Sequence, residues 1–385
     1  MTNRTRLATA AALVPLAVLA AACSSSSTSG APSTSSTTSA AKMTGPALPS
    51  KPASTSEALT ETGSSLLFPL FGTWTTAYQK QFVNSSSDPI VTITTGSTGS
   101  GIGIADAASG TVNIGASDAY LSSADTAQYP GLLNIALAIS AQEISYNLPG
   151  IKDLKLNGTL LAEIYSGKIT TWNDPAIKKL NPGVPLPAMK IITLHRADGS
   201  GDTFLFTSYL NAQDPSLWAS SNVNTTVSWP SAPGALAETG NSGMVAGCAA
   251  NKGCIAYIGI SYLSKTQAAD LGTASIANKS GAYLQPTAAT ISAEAAAFTS
   301  STPANEAISM IDGPAAGGYP IVNYEYAIVK TSQTNATQAE DIRAFLHWVV
   351  HTGQNATTFL DAVNFQPLPA TVVAKSDALI SKIGS

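Results

Sequence analysis

The residues best suited to chemistry in this 385-residue chain stand together in Arg196-Ala197-Asp198-Gly199-Ser200-Gly201-Asp202-Thr203. A guanidinium, a carboxylate and a Ser-Gly turn follow the apolar run Ile191–Leu194, then open into a helical pattern, Phe204–Leu210. That order suits an anion seat: N–H groups at a helix N-terminus point outward, a hydroxyl adds a donor, and Arg supplies a two-pronged cation. A carboxylate is out of place there unless the anion brings a proton. An acid that accepts a proton favours hydrogen phosphate and penalises fully ionised sulfate. Asp118, in Gly115-Ala116-Ser117-Asp118-Ala119, is a candidate for that acceptor, and reads as well as a turn or capping residue. Asp198 has the same two readings. Arg196 either pairs with a surface acid or serves both Asp198 and a ligand. Ser100 and Ser200 are ordinary N-cap candidates that can also donate to an anion.

Catalytic patterns fail on their own requirements. His347 and His351 have the i, i+4 spacing of zinc proteases, but Trp348 stands where the general base Glu must be, so they read as a surface or core pair. His195 precedes Arg196, yet neither Ser100 nor Ser200 has Gly two residues before it, so the serine-hydrolase elbow is missing. After Gly96-x4-Gly101 comes Ile102 rather than the Lys of a phosphate-binding loop. No enzyme activity, metal or cofactor is expected.

The candidate residues need strand ends and helix starts to hold them. Gly63-Ser64-Ser65-Leu66-Leu67-Phe68-Pro69, Gly96–Gly101 and the Arg196 segment are three Gly-Ser turns of that kind. Strands are predicted at Ile90–Thr94, Val112–Ala116, Leu132–Ile139, Ile144–Asn147, Ile255–Gly259 and Ile321–Val329. Helices are predicted from Ile104, at Leu160–Tyr165, from Phe204 and over Glu340–Val350. This alternation argues an α/β architecture, and ligands in such folds sit where strand ends meet helix starts.

The N-terminus reads as a signal. Arg4 and Arg6 precede an apolar run from Leu7 to Ala22 that is interrupted by Pro15 and too short to span a bilayer. It ends in Leu-Ala-Ala-Ala-Cys, which resembles a bacterial lipobox with Cys23 as the lipidated residue, although Ala20 stands where Leu is usual. Residues 1–22 are therefore expected to be removed, and 23–56, rich in Ser, Thr and Pro, to form a disordered tether. Loss of the two arginines takes the net charge from −4 to about −6, which argues against a nucleic-acid partner. Outside the cytoplasm, Cys248 and Cys254, separated by a short loop containing Gly253, are expected to pair as a disulfide.

Thr62-Gly63, Phe68-Pro69, Gly99-Ser100-Gly101, Gly115–Asp118 and Arg196–Gly201 together resemble the PstS phosphate-binding proteins of bacterial ABC importers. Thr171–Pro175 and Asn323–Ala327 point to the mycobacterial lipoprotein branch. The resemblance implies an α/β, two-domain, class II periplasmic-binding-protein fold with the ligand cleft between the domains. Domain I would comprise 57–142 and 320–385, domain II 143–319, with crossings near Gln142–Asn147 and Tyr319–Tyr324. It further implies a phosphate site of Leu67, Phe68, Ser100, Asp118, Arg196, Ser200 and Gly201. Asp198 would hold Arg196, and Ser65 (or Ser64) would supply the hydroxyl that Leu67 lacks. Asp202, where relatives have Thr, would either take a second phosphate proton or turn outward. The expected protein is a monomeric, lipid-anchored receptor on the outer face of the cell membrane that serves ABC permease subunits. The alternatives are a receptor for another tetrahedral oxyanion or a phosphate ester, and a surface phosphatase or esterase.

Overall fold

The computed structural model describes residues 47–53 and 57–384. Cys23 and the signal segment lie outside them, as does most of the expected tether. The tether's last part differs from expectation. Leu48 packs on the core and the Ala53 N–H donates to Asp341 Oδ1 (2.7 Å), so residues 47–53 lie on the folded body.

The strands that position the site are β1 (Glu57–Gly63), β2 (Val91–Thr94), β3 (Ile114–Ser117), β4 (Leu132–Tyr146), β5 (Ile192–Arg196), β6 (Leu236–Glu238), β7 (Cys254–Gly259) and β8 (Val322–Lys330). They follow the spatial order β2-β1-β3-β8-β4-β7-β5-β6 in one sheet, joined beside β4 by the two-residue strand Gly272–Thr273. β2, β1 and β3 run parallel at one end, and β7, β5 and β6 run parallel at the other. Between them β8 and β4 pair antiparallel. Parallel strands covered by helices bury both faces, so β3 and β7 are buried at every position rather than at alternate ones.

The two apolar runs expected as separate strands, Leu132–Ile139 and Ile144–Asn147, form one 15-residue strand, β4. Its polar middle remains extended because each stretch has a partner. Residues 132–141 pair with β8 and residues 142–146 with β7, so the change of neighbour falls at Ala141/Gln142.

The helices that matter here are α1 (Phe68–Gln81), α2 (Ser100–Ser109), α3 (Gly201–Gln213), α4 (Gly240–Ala250), α5 (Ala336–His351) and α6 (Ala370–Ile380). Helix α2 lies directly on the sheet because of two glycines. A Cβ on Gly103 would meet Ala116 O at 2.6 Å, and one on Gly115 would meet Gly103 O at 2.2 Å. The Cys248–Cys254 disulfide forms as expected and ties the end of α4 to the start of β7. Among the described residues, no helix is long and apolar enough to cross a membrane.

Candidate functional site

The starts of three helices converge on one buried carboxylate. Asp118 follows β3 and is 2% exposed. Ser64, in the turn between β1 and α1, donates its hydroxyl to Asp118 Oδ1. Ser100, the first residue of α2, donates to Asp118 Oδ2 (3.3 Å) and accepts the Asp118 N–H (3.3 Å). Gly201 opens α3 and touches the same carboxylate: a Cβ there would lie 2.5 Å from Asp118 Oδ2 and 2.7 Å from Ser100 Oγ. Only glycine fits that approach. Ser200 caps α3 by accepting the Thr203 N–H (3.4 Å), leaving the first-turn amides of Gly201 and Asp202 without intrahelical acceptors. The Gly101 N–H donates to Gly199 O (2.8 Å), which locks the starts of α2 and α3 together.

Arg196 ends β5 with its side chain 1% exposed. Its Nε donates to Asp198 Oδ1 (2.8 Å), Nη2 to Asp198 Oδ2, and Nη1 to Asp202 Oδ2 (2.8 Å). A guanidinium has five N–H donors. Three are engaged here, and among the described residues the remaining hydrogen on each of Nη1 and Nη2 meets no acceptor. Asp198 and Arg196 form a two-point ion pair. Burial would raise the Asp198 pKa, but the guanidinium outweighs that and holds it below the ordinary value. The α4 start reinforces it, the Gly240 N–H donating to Asp198 Oδ1 (3.1 Å).

Asp202 turns inward rather than outward. It is fully buried, and besides Arg196 it accepts from Asn241 Nδ2 (2.7 Å) and Gln142 Nε2 (3.2 Å). Burial and then the neighbouring Asp118 charge push its pKa up to about 7, against the pull of Arg196. Ser64 rather than Ser65 faces Asp118, because the Ser65 hydroxyl accepts from Asn241 N (3.1 Å) and Nδ2 (2.9 Å). The Leu67 N–H donates to Ser64 Oγ (2.9 Å) and the Phe68 N–H to Ser64 O (3.1 Å), so both amides expected to meet a ligand are engaged within their own turn.

Sequence reasoning missed Glu325. It lies on β8, where the antiparallel pairing of Tyr326 with Ser117 carries the strand past Asp118. Its Oε1 accepts from Asn323 Nδ2 (2.9 Å), and among the described residues no N–H or hydroxyl donates to Oε2. Instead the two carboxyl groups hydrogen-bond to each other. Burial and then the Asp118 charge raise Glu325 well above its usual range. Burial also raises Asp118, while Glu325, Ser64, Arg196 and Ser100 pull it back. Glu325 therefore keeps the proton and donates it to Asp118. The motif Asn323–Ala327 marked the segment, but nothing in it signalled a proton. With the Asp118 and Asp198 carboxylates, and Asp202 when ionised, set against a single guanidinium, an anion without protons would meet an excess of negative charge. The chemistry available is binding of an oxyanion that brings its own hydrogen.

Residues 28–352 match the PBP superfamily domain. Phosphate-binding protein PstS of Haemophilus influenzae is 32% identical over 325 residues, 84% of this chain and 92% of that protein. Phosphate-binding protein PstS 3 of Mycobacterium leprae is 31% identical over 303 residues, 75% of this chain and 79% of its own. The mycobacterial branch is thus not favoured over the Haemophilus protein. The crystal structure of a phosphate-binding protein from Stenotrophomonas maltophilia superposes with a TM-score of 0.65 at 22% identity, covering 83% of this chain and 93% of that one. That likeness extends to the fold.

Proposed function

The chain belongs to the PstS family of phosphate-binding proteins, and on that footing we propose that it captures inorganic phosphate outside the cytoplasm and delivers it to the permease of an ABC importer. The observation that carries this reading is Asp118: a buried carboxylate, donated to by Ser64 and Ser100, set among helix N-termini beside Arg196. It is a binding protein and not an enzyme, as are its relatives.

In this reading Asp118 accepts the hydrogen of bound phosphate. The two remaining Arg196 hydrogens, the Gly201 amide and the hydroxyls of Ser100 and Ser200 donate to its other oxygens. A phosphate oxygen replaces Ser64 as acceptor for the Leu67 and Phe68 amides. Because Gly201 rests on Asp118, the ligand enters by separation of two lobes, 57–142 with 320–385 and 143–319, about the β4 and β8 crossings. The close approach of Gly201 to Asp118 and Ser100 favours a bare anion over an ester. Lipidation at Cys23 would keep the receptor at the membrane, a reading supported by its lipobox-like surroundings.

The test is calorimetric titration of phosphate into the stripped chain, with and without excess sulfate. Tight binding untouched by sulfate is expected. Asp118→Asn should weaken it by about 10- to 100-fold, since hydrogen bonds to charged groups contribute about 1.5–3 kcal/mol. Equal competition by sulfate would sink the proton-reading role of Asp118, and no binding of phosphate at all would sink the function.

A further inference from the structure

Two of the chain's three histidines take no part in the site above. They stand on the last turns of α5, and the fold brings Asp377 from α6 against both. His347 Nδ1 lies 3.0 Å from Asp377 Oδ1, and His351 Nε2 lies 3.0 Å from Oδ2 and 3.2 Å from Oδ1. One donor atom from each of the three residues falls within 4.8 Å of the other two, and the imidazole rings are 4.3 Å apart. Their side chains are 26%, 44% and 29% exposed in the order His347, His351, Asp377, so the cluster opens to solvent.

We propose that His347, His351 and Asp377 form a surface site for a divalent transition-metal ion of the zinc type, which clips α6 to the end of α5. Zinc holds imidazole nitrogen and carboxylate oxygen at about 2.0–2.2 Å, which sets neighbouring ligands about 3–3.5 Å apart. The His–Asp separations of 3.0–3.2 Å match that edge and the two imidazole nitrogens lie within 4.8 Å of each other, so a metal replaces the hydrogens between the side chains with modest rotations that bring the nitrogens together. Two nitrogens and one carboxylate suit zinc, copper or nickel, whereas magnesium and calcium want an all-oxygen shell. His351 is the last residue of α5, where the helix dipole favours a cation. Trp348 denies the site protease chemistry without denying it a metal. It is buried, and its indole N–H donates to Gln81 Oε1 (2.8 Å), away from the cluster. The site therefore binds and cross-links.

The experiment is titration of Zn2+ into the full chain against a chromogenic chelator in phosphate-free buffer. One equivalent with micromolar affinity is expected, and Zn2+ should raise the melting temperature. His351→Ala and Asp377→Asn should each weaken binding at least about tenfold and remove the melting shift, while phosphate titration stays unchanged. As a reading independent of the variants, Co2+ bound to the unaltered chain should show ligand-field bands distinct from the hydrated ion. No stoichiometric binding, equal binding by the variants, or a purely aquo-ion Co2+ spectrum would each overturn the proposal.

Discussion

A carboxyl group removed from water must find donors or keep its proton, and Asp118 and Glu325 divide those outcomes between them. Asp118 has two hydroxyl donors and a nearby guanidinium; Glu325 has one amide donor and the neighbouring Asp118 carboxyl. The proton therefore sits on Glu325 and leaves Asp118 able to accept from the ligand. Replacing Glu325 with Gln keeps an N–H donor in that place, and phosphate affinity should stay within a few-fold of the parent. Glu325→Ala removes the donor, leaves Asp118 short of a partner and should weaken binding by about tenfold or more, about 1–3 kcal/mol. Calorimetry on both variants decides; a Gln variant as impaired as the Ala variant would mean that Glu325 acts as an anion. Asp118, Arg196, Ser100 and Ser200 could be named from sequence because each sits at a turn, where polar residues stand out. Glu325 could not. It lies inside an apolar strand more than 200 residues from Asp118 in sequence, and only strand register brings the two together.

At the level of elements, the site depends on how closely α2 lies on the sheet. Glycine inside a helix costs about 1 kcal/mol relative to Ala, so Gly103→Ala would stabilise α2 in isolation. In the fold its Cβ would meet Ala116 O at 2.6 Å, Gly63 Cα at 2.9 Å and Thr62 O at 2.9 Å, all backbone atoms that cannot rotate away. Overpacking of this kind costs about 1–3 kcal/mol, which outweighs the gain in helix propensity. Gly103→Ala should therefore destabilise the chain, lift α2 and draw Ser100 away from Asp118. Denaturant unfolding should show the loss of stability and titration a weaker phosphate affinity. A stabilised variant with full affinity would mean that α2 has room to spare. The strand-helix alternation was readable from apolar runs ending in Gly-Ser turns, and β7, β8, α3 and α5 fall where those runs predict. The unity of β4 was not readable. Ser140-Ala141-Gln142-Glu143 is polar by composition, and its extended form comes from pairing with two partners distant in sequence. The start of α4, which supplies Asn241 and the Gly240 amide to the site, carried no sequence signal beyond another Gly.

Two predictions belong to the whole molecule, the first resting on the two lobes proposed above. Lobe opening should make the phosphate-free chain more extended, so small-angle scattering should record a fall in radius of gyration on saturation with phosphate. An unchanged radius would count against entry by hinge motion. The second prediction is an inverted dependence of stability on pH. Burial pushes Glu61 up to about 8, and Glu143, Asp202 and Glu306 up to about 7. Glu143 is met by Thr266 and Thr273, and Glu306 by Ser376 and the Ala136 amide, neutral donors that do not offset the lost hydration. Between the ordinary carboxylate range near 4 and these raised values, the folded chain holds protons that the unfolded chain has released. Stability must then fall as pH rises through that window and level off above it. Asp198, held low by Arg196, works in the opposite sense, but its contribution is lost only as pH falls below the ordinary carboxylate range. Calorimetric melting of the phosphate-free chain should therefore give a higher Tm at about pH 5.5 than at about pH 8. Glu61→Gln should raise the value at the alkaline end and narrow the difference, because Glu61 has the highest raised value of the four and, among the described residues, no side-chain or hydroxyl donor. A flat or rising profile would mean that these carboxylates gain enough water or counter-charge in solution to remain ionised in the fold.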